Sequence, residues 1–251
     1  MPTLRAALST RSSGRRRVID RKDMTYDVDM IDSRLAVFHG IFLTLGTALL
    51  LWSMGGSVGY ALLAAGVLYN VALPIFAARC TEPRWIRMWG FLFPLSWLQI
   101  FPDWYLVEQL GTLTFPDLGV AKIGPVSAFM GLLWIVPLFL VVHVGENLAE
   151  RHGLKAAALG SGALAVLIFG ISEATLTLIP VWHPVGISTA IGPMALYVLG
   201  PEAVLGASAW WAFRTTESRS VAGKLAAAIL VMLGYILTLT ISYRLFEGPL
   251  P

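Results

Sequence analysis

Long apolar runs alternate with short stretches rich in proline, glycine and polar residues along almost the whole chain after residue 35. A helix needs roughly 20 mostly apolar residues to cross a bilayer. Runs of that kind fall at about 36–54, 58–78, 86–110, 126–148, 155–179, 188–213 and 222–246, which predicts about seven spans. The third, fifth and sixth carry acidic residues or prolines. Strict apolar–polar alternation dominates nowhere, so a transmembrane β-barrel is not expected. The expected fold is all-α: a polytopic helical bundle over 35–251, preceded by a partly disordered tail over 1–34. No internal repeat stands out.

Composition agrees. Of 251 residues, 57% are hydrophobic and 13% charged, with a mean hydropathy of +0.72. A soluble domain carries about 25% charged residues. This balance excludes a soluble enzyme and a disordered chain, and the single Cys80 excludes a disulfide scaffold or a cysteine-rich metal fold. The net charge of +3 does not point to nucleic acid, because the cations sit where a membrane would place them. All Lys and Arg except Lys122 and Arg244 fall in the tail or in the loops after the second, fourth and sixth runs. That is the positive-inside pattern. It places the N-terminus in the cytoplasm and the C-terminus outside, in a bacterial inner membrane by default. The run Arg15-Arg16-Arg17 is followed by five aspartates before the first apolar run, so it is not a signal peptide. Topology determination is its expected role, with binding of anionic lipid as the alternative. No P-loop, GxGxxG, HExxH or paired CxxC is present, and no cofactor is implied.

Ionisable groups inside apolar spans mark functional sites by default. Glu173 lies in Gly170-Ile171-Ser172-Glu173-Ala174-Thr175-Leu176-Thr177 with no cation near it in sequence. Thr177 is placed to hydrogen-bond it. A neutral acid poised to donate a proton is what a general acid needs. Glu202 follows Gly200-Pro201, and Gly192-Pro193 stands earlier in the same run, so the sixth span is expected to break. The dipole of a restarted helix would favour negative charge on Glu202. Two acids in different environments are the pattern of an acid and a base. Pro102 and Gly111 bracket a short helix over about 102–110, with Asp103 in its first turn and Tyr105 and Glu108 on one side. An interfacial aromatic belt with exposed acids is the alternative for that stretch. His143 and Glu146 could form one edge of a metal site, but the four histidines are scattered and no metal is expected. Trp97, Trp104, Trp134, Trp182, Trp210 and Trp211 are candidates to line an aromatic cavity able to stabilise a carbocation. Helix packing and interface marking are the alternative for most aromatics.

The segment Val107-Glu108-Gln109-Leu110-Gly111, Phe115-Pro116 and Leu133-Trp134-Ile135-Val136-Pro137 is similar in layout to membrane carotenoid hydratases of the γ-carotene and bisanhydrobacterioruberin type. Glu173 through Trp182, then Tyr197 to Pro201 and Trp210, resembles their second acidic segment. The loop at Asp117-Leu118-Gly119 departs from that pattern. The chain's size also resembles small transmembrane terpene cyclases. Both resemblances imply acid-initiated hydration or cyclisation of an isoprenoid. They imply Glu173 as proton donor, Glu108 as base or water-positioning group and Glu202 as a supporting carboxylate. Asp103, Tyr105, Trp104, Trp134, Trp182, His183 and Tyr197 are then expected around the lipophilic substrate. Two other classes fit the residues alone: a small transporter or channel with a midplane acid, and an accessory subunit of a membrane complex.

Overall fold

The computed structural model describes residues 21–53, 56–175, 178–179 and 181–249, with side chains from Ser33 onward. The chain divides into two units, Met1–Phe42 and Leu43–Pro251. The described part of the first unit is the beginning of α1 (Arg21–Ser53), so the chain is helical from Arg21. Residues 1–20 of the expected tail lie outside the described residues.

The second unit continues with α2 (Val58–Arg79), α3 (Pro83–Leu98) and α4 (Ile100–Glu108), the last two joined at Gln99. Short strands β1 (Leu113–Thr114), β2 (Lys122–Ile123) and β3 (Val126–Ser127) lead into α5 (Met130–Leu133) and α6 (Ile135–His152). Helix α7 (Leu154–Ala174) is followed by β4 (His183–Pro184), β5 (Ala190–Ile191) and β6 (Met194–Ala195), then α8 (Leu196–Thr216) and α9 (Val221–Phe246). The all-α class holds; the strands are pairs of two residues at one end of the bundle.

Five stretches among the described residues are long and apolar enough to cross a membrane: Ser33–Ser53, Val58–Arg79, Met130–His152, Leu154–Ala174 and Val221–Phe246. Several turn large apolar side chains outward, with Leu159 75%, Leu230 69% and Leu237 60% exposed. Water would penalise such faces, whereas hydrocarbon does not. The chain is a membrane protein. The third and sixth expected runs are helical in α3–α4 and α8 but do not stand among these five.

The prolines explain the irregularities. Gly192-Pro193 does not break a helix, contrary to the sequence expectation; it forms the turn between β5 and β6, before α8 begins. Helix α8 then runs through Pro201, so Glu202 stands inside a continuous helix and not in the first turn of a new one. Proline removes the N–H that would have bonded the carbonyl four residues back. That carbonyl belongs to Tyr197, and the Ser242 hydroxyl of α9 donates to it instead. A second irregularity separates α5 from α6. The Ser96 hydroxyl of α3 enters the helical ladder there, donating to the Gly131 carbonyl at 2.8 Å and accepting from the Ile135 N–H at 2.9 Å. Trp134 stands at this break, between α5 and α6.

The loops also reveal an internal repeat that hydropathy hides. Lys122-Ile123-Gly124-Pro125-Val126-Ser127 and Ala190-Ile191-Gly192-Pro193-Met194-Ala195 form the same hairpin. Both turns need a residue at positive φ, met by Gly124 (58°) and Gly192 (60°). Ala128 N–H donates to the Ala121 carbonyl, and Leu196 N–H to the Thr189 carbonyl, each at 2.9 Å and at equivalent places. Ahead of the hairpins, β1 pairs with β4 antiparallel, Leu113 opposite Pro184 and Thr114 opposite His183. Exchanging the two halves maps this strand pair onto itself, but the helices do not follow: α6 packs along α7, whereas α3–α4 and α8 each pack on α9. Helices α3–α4 and α7 lead into the paired strands; α5–α6 and α8 lead out of the hairpins.

Candidate functional site

The repeat gives each acid a counterpart. Asp103 stands ten residues before Leu113, and Glu173 ten before His183. Trp134 stands eleven residues after Ile123, and Glu202 eleven after Ile191. One hydrogen bond and the electrostatic reach of Tyr235 connect these four residues inside the bundle. Trp134 Nε1 donates to Asp103 Oδ2 at 3.0 Å. The carboxyl of Glu202 lies within electrostatic reach of Glu173. The Tyr235 hydroxyl of α9 lies within reach of Glu202, Asp103 and Glu173 together. Asp103 and Glu202 are buried and Glu173 half-buried. Glu173 Oε2 accepts from the Ala195 N–H at 3.2 Å, which ties this acid to the second hairpin. Among the described residues no ion pair involves any of the three acids.

Aromatic rings complete the enclosure. Trp134 contacts Phe169 at 5.1 Å and Tyr235 at 6.3 Å between centroids. Three carboxyl groups and a phenol, set among aromatic faces, can pass a proton and can stabilise positive charge on a ligand.

Of the other candidates, Tyr197 lies within electrostatic reach of Glu173 and Tyr235; the rest lie elsewhere. Glu108 is exposed at the last residue of α4. Five residues along a helix is about 500°, or about 140° off the direction of Asp103, so the two cannot share a face. Tyr105 bonds the Thr240 hydroxyl of α9 at 2.8 Å. Trp104 is 39% exposed and lays its ring on the turn at Gly124. Trp182 and His183 are half-buried beside the β1–β4 pair. Tyr197 is buried, bonds Thr112 Oγ1 at 2.7 Å and packs edge-on against Tyr243. Thr177 lies outside the described residues. Sequence reading missed Tyr235 and Gln99; the signal that finds the latter is its place one helical turn before Asp103.

At the opposite end from the hairpins, Glu146 is only 1% exposed and takes hydrogen bonds from Arg84, from Arg214 Nη1 at 3.1 Å and from Trp210 Nε1 at 2.9 Å. It joins α3, α6 and α8. No group of three or more His, Cys, Asp or Glu among the described residues is placed to hold a metal ion.

At the hairpin end, the Glu247 carboxylate just after α9 accepts from Ser188 N (2.6 Å), Ser188 Oγ (2.7 Å), Thr189 N (3.0 Å) and Thr189 Oγ1. Burial alone would push this carboxyl up, but the bonds from Thr189 and Ser188 outweigh it and hold it at about 2, below its ordinary 4.5. A depressed value means the bonds stabilise the folded loop fully above about 4.5 and are lost as pH falls through about 2. Hydrogen exchange at 188–195 should therefore accelerate between those values. In Glu247→Gln the exchange should be faster at neutral pH by roughly fivefold, the scale of about 1 kcal/mol for an exposed charged contact, and should lose its acid dependence.

A family model described as Domain of unknown function (DUF6989) matches residues 100–246, from the start of α4 to the end of α9. That stretch contains both hairpins and all three interior acids. The chain belongs to this family. No curated protein and no solved structure matches it.

Proposed function

We propose that this DUF6989 member is an integral membrane enzyme that starts hydration or cyclisation of an isoprenoid by protonating a double bond. The observation that supports this reading best is that Asp103, Glu173 and Glu202 all lie within electrostatic reach of Tyr235, with no ion-pair partner among the described residues. Glu173 is the proton donor: it has no ion-pair partner among the described residues, and its bond to the Ala195 N–H fixes its place beside the second hairpin. The proton goes to one alkene carbon and leaves a carbocation on its neighbour. Trp134, Phe169 and Tyr235 shield that cation. Water then bonds to it and gives its proton to Asp103, or a second double bond attacks and the ring cation loses a proton there. Asp103 thus takes the role the sequence offered to Glu108, and Glu202 supports both acids. The bundle carries about seven spans, counting α3–α4 and α8 with the five apolar ones. Its N-terminus is cytoplasmic and its C-terminus outside, and the compartment is a bacterial inner membrane.

Mass spectrometry of lipid extracts from an isoprenoid-producing host tests this. Wild-type chain should yield a species heavier by one water, or an isomer of new retention, that Glu173→Gln does not yield. Identical extracts across several isoprenoid backgrounds would sink the reading.

The repeat favours a second reading, proton-coupled transport. Transporters are often built from repeated halves with a midplane acid at their interface. The continuous α8 lacks the broken helix of that design. Proton-linked uptake into liposomes, abolished by Glu202→Gln, would select transport over catalysis.

A further inference from the structure

The two hairpins are held in different ways. In the first, Val126 and Ser127 are fully buried, as is Phe129 just after them, and the Trp104 ring lies on Gly124 at the turn. In the second, Ile191 is 64% exposed, and Ser188 and Ala190 are exposed as well. Apolar burial stabilises a segment in proportion to its area, whereas a charged contact open to water contributes little. Segments with few buried apolar contacts are the first to open. The second hairpin is the weaker of the two.

The approach to its first strand is tied by a carboxylate. Glu247 accepts from the N–H groups and the hydroxyls of Ser188 and Thr189. Across the base of the hairpin, the Thr189 carbonyl accepts from the Leu196 N–H at 2.9 Å. The N–H of the adjacent Ala195 donates to Glu173 Oε2 at 3.2 Å. The path from Glu247 to Glu173 thus crosses only the base of one small hairpin. The second strand also lies on α7. A Cβ placed at Gly170 would stand 3.4 Å from the Met194 sulfur, an ordinary contact. Gly170 and Glu173 are three residues apart and share a face of α7.

We infer that the second hairpin is a gate over Glu173 and that Glu247 is its latch. With the latch closed, the Ala195 N–H holds the Glu173 carboxyl and Met194 covers the neighbouring turn of α7. With the latch released, the hairpin lifts from α7, the Ala195 N–H leaves the carboxyl and water reaches it. The gate stands on the geometry of the hairpin. Its place in a cycle rests on the reading above, in which Glu173 gives up a proton in each turnover and takes one back from water through the opened gate.

The test uses the full chain in detergent micelles, with Cys80→Ser and a single reporter thiol, Gly170→Cys, beneath Met194. Its rate of reaction with a charged methanethiosulfonate reads how often the hairpin is open. Glu247→Gln should raise that rate about fivefold, the scale of one exposed charged contact. Ser188→Ala with Thr189→Val removes the hydroxyls on the other side of the latch and should act in the same direction. All three changes together should give less than the product of the separate factors, because both sets release one latch. Met194→Cys, on the facing side, replaces the reporter if a side chain at 170 disturbs the fold. Hydrogen exchange at 122–127, in the first hairpin, should stay at the wild-type rate. A reporter rate unchanged by either set of substitutions would overturn the gate, whatever the exchange at 188–195 does. Equal acceleration at 122–127 would overturn it too, since the loss would then spread through the bundle. The labelling is read without substrate, so the two readings fail separately. The expected reporter rates in a chain that makes no isoprenoid product would keep the gate and remove the catalytic reading; product from a chain with an unresponsive reporter would do the reverse.

Discussion

Replacing Glu146 with alanine should destabilise the membrane domain by about 2–3 kcal/mol. The carboxylate is 1% exposed and accepts from two guanidinium groups and an indole. Its removal leaves Arg214 without its carboxylate and Arg84 with only the more exposed Glu150, and an uncompensated, partly buried charge is the costly outcome of breaking such a group. The two arginines are 28% and 35% exposed, so water screens part of the repulsion and brings the loss below the roughly 3–5 kcal/mol of a fully buried pair. Glu146→Gln should cost less, since an amide oxygen still accepts from Trp210. Thermal unfolding followed by tryptophan emission gives the order: Ala below Gln below wild type. Adding Arg214→Ala to Glu146→Ala should recover part of the loss, and that coupling is the signature of the clamp. Strictly additive losses would mean the three groups do not act as a unit.

The sequence carries the spans well because hydrocarbon imposes one strong rule, a long apolar run per helix. It misplaces the irregular parts because proline and glycine are ambiguous there. Gly192-Pro193 and Gly200-Pro201 read alike on paper. One forms a hairpin turn, and the other stays inside a helix because Ser242, far away in sequence, bonds the carbonyl that Pro201 frees. Glu173 and Glu202 are visible as acids in apolar runs. Asp103 is visible too, but its partner Trp134, thirty-one residues away at the break between α5 and α6, is not. Tyr235 has no local mark, since a tyrosine in an apolar helix is ordinary. The repeated Ile-Gly-Pro is present in the sequence, but hydropathy windows average over a six-residue hairpin and hide it.

The sharpest functional contrast is expected among Asp103, Glu173 and Glu108. Glu173→Gln and Asp103→Asn should each lower product formation by about 10²–10⁴, the range lost with a general acid or base. Both changes keep shape and hydrogen bonding and remove only the exchangeable acid proton. In Asp103→Asn the side-chain amide oxygen can still accept from the Trp134 indole, so the fold should tolerate the change. Glu108→Gln should leave product within about twofold of wild type, the level of a surface substitution away from the site, because Glu108 is exposed on a different face of α4. Product is read by mass spectrometry of lipid extracts at matched protein levels, with unfolding temperature measured in parallel. Trp134→Phe provides an independent check: it keeps the ring but removes the N–H that fixes Asp103, and should cost less than Asp103→Asn. A silent Asp103→Asn beside an inactive Glu108→Gln would return the base to Glu108 and take the reaction out of the interior cluster.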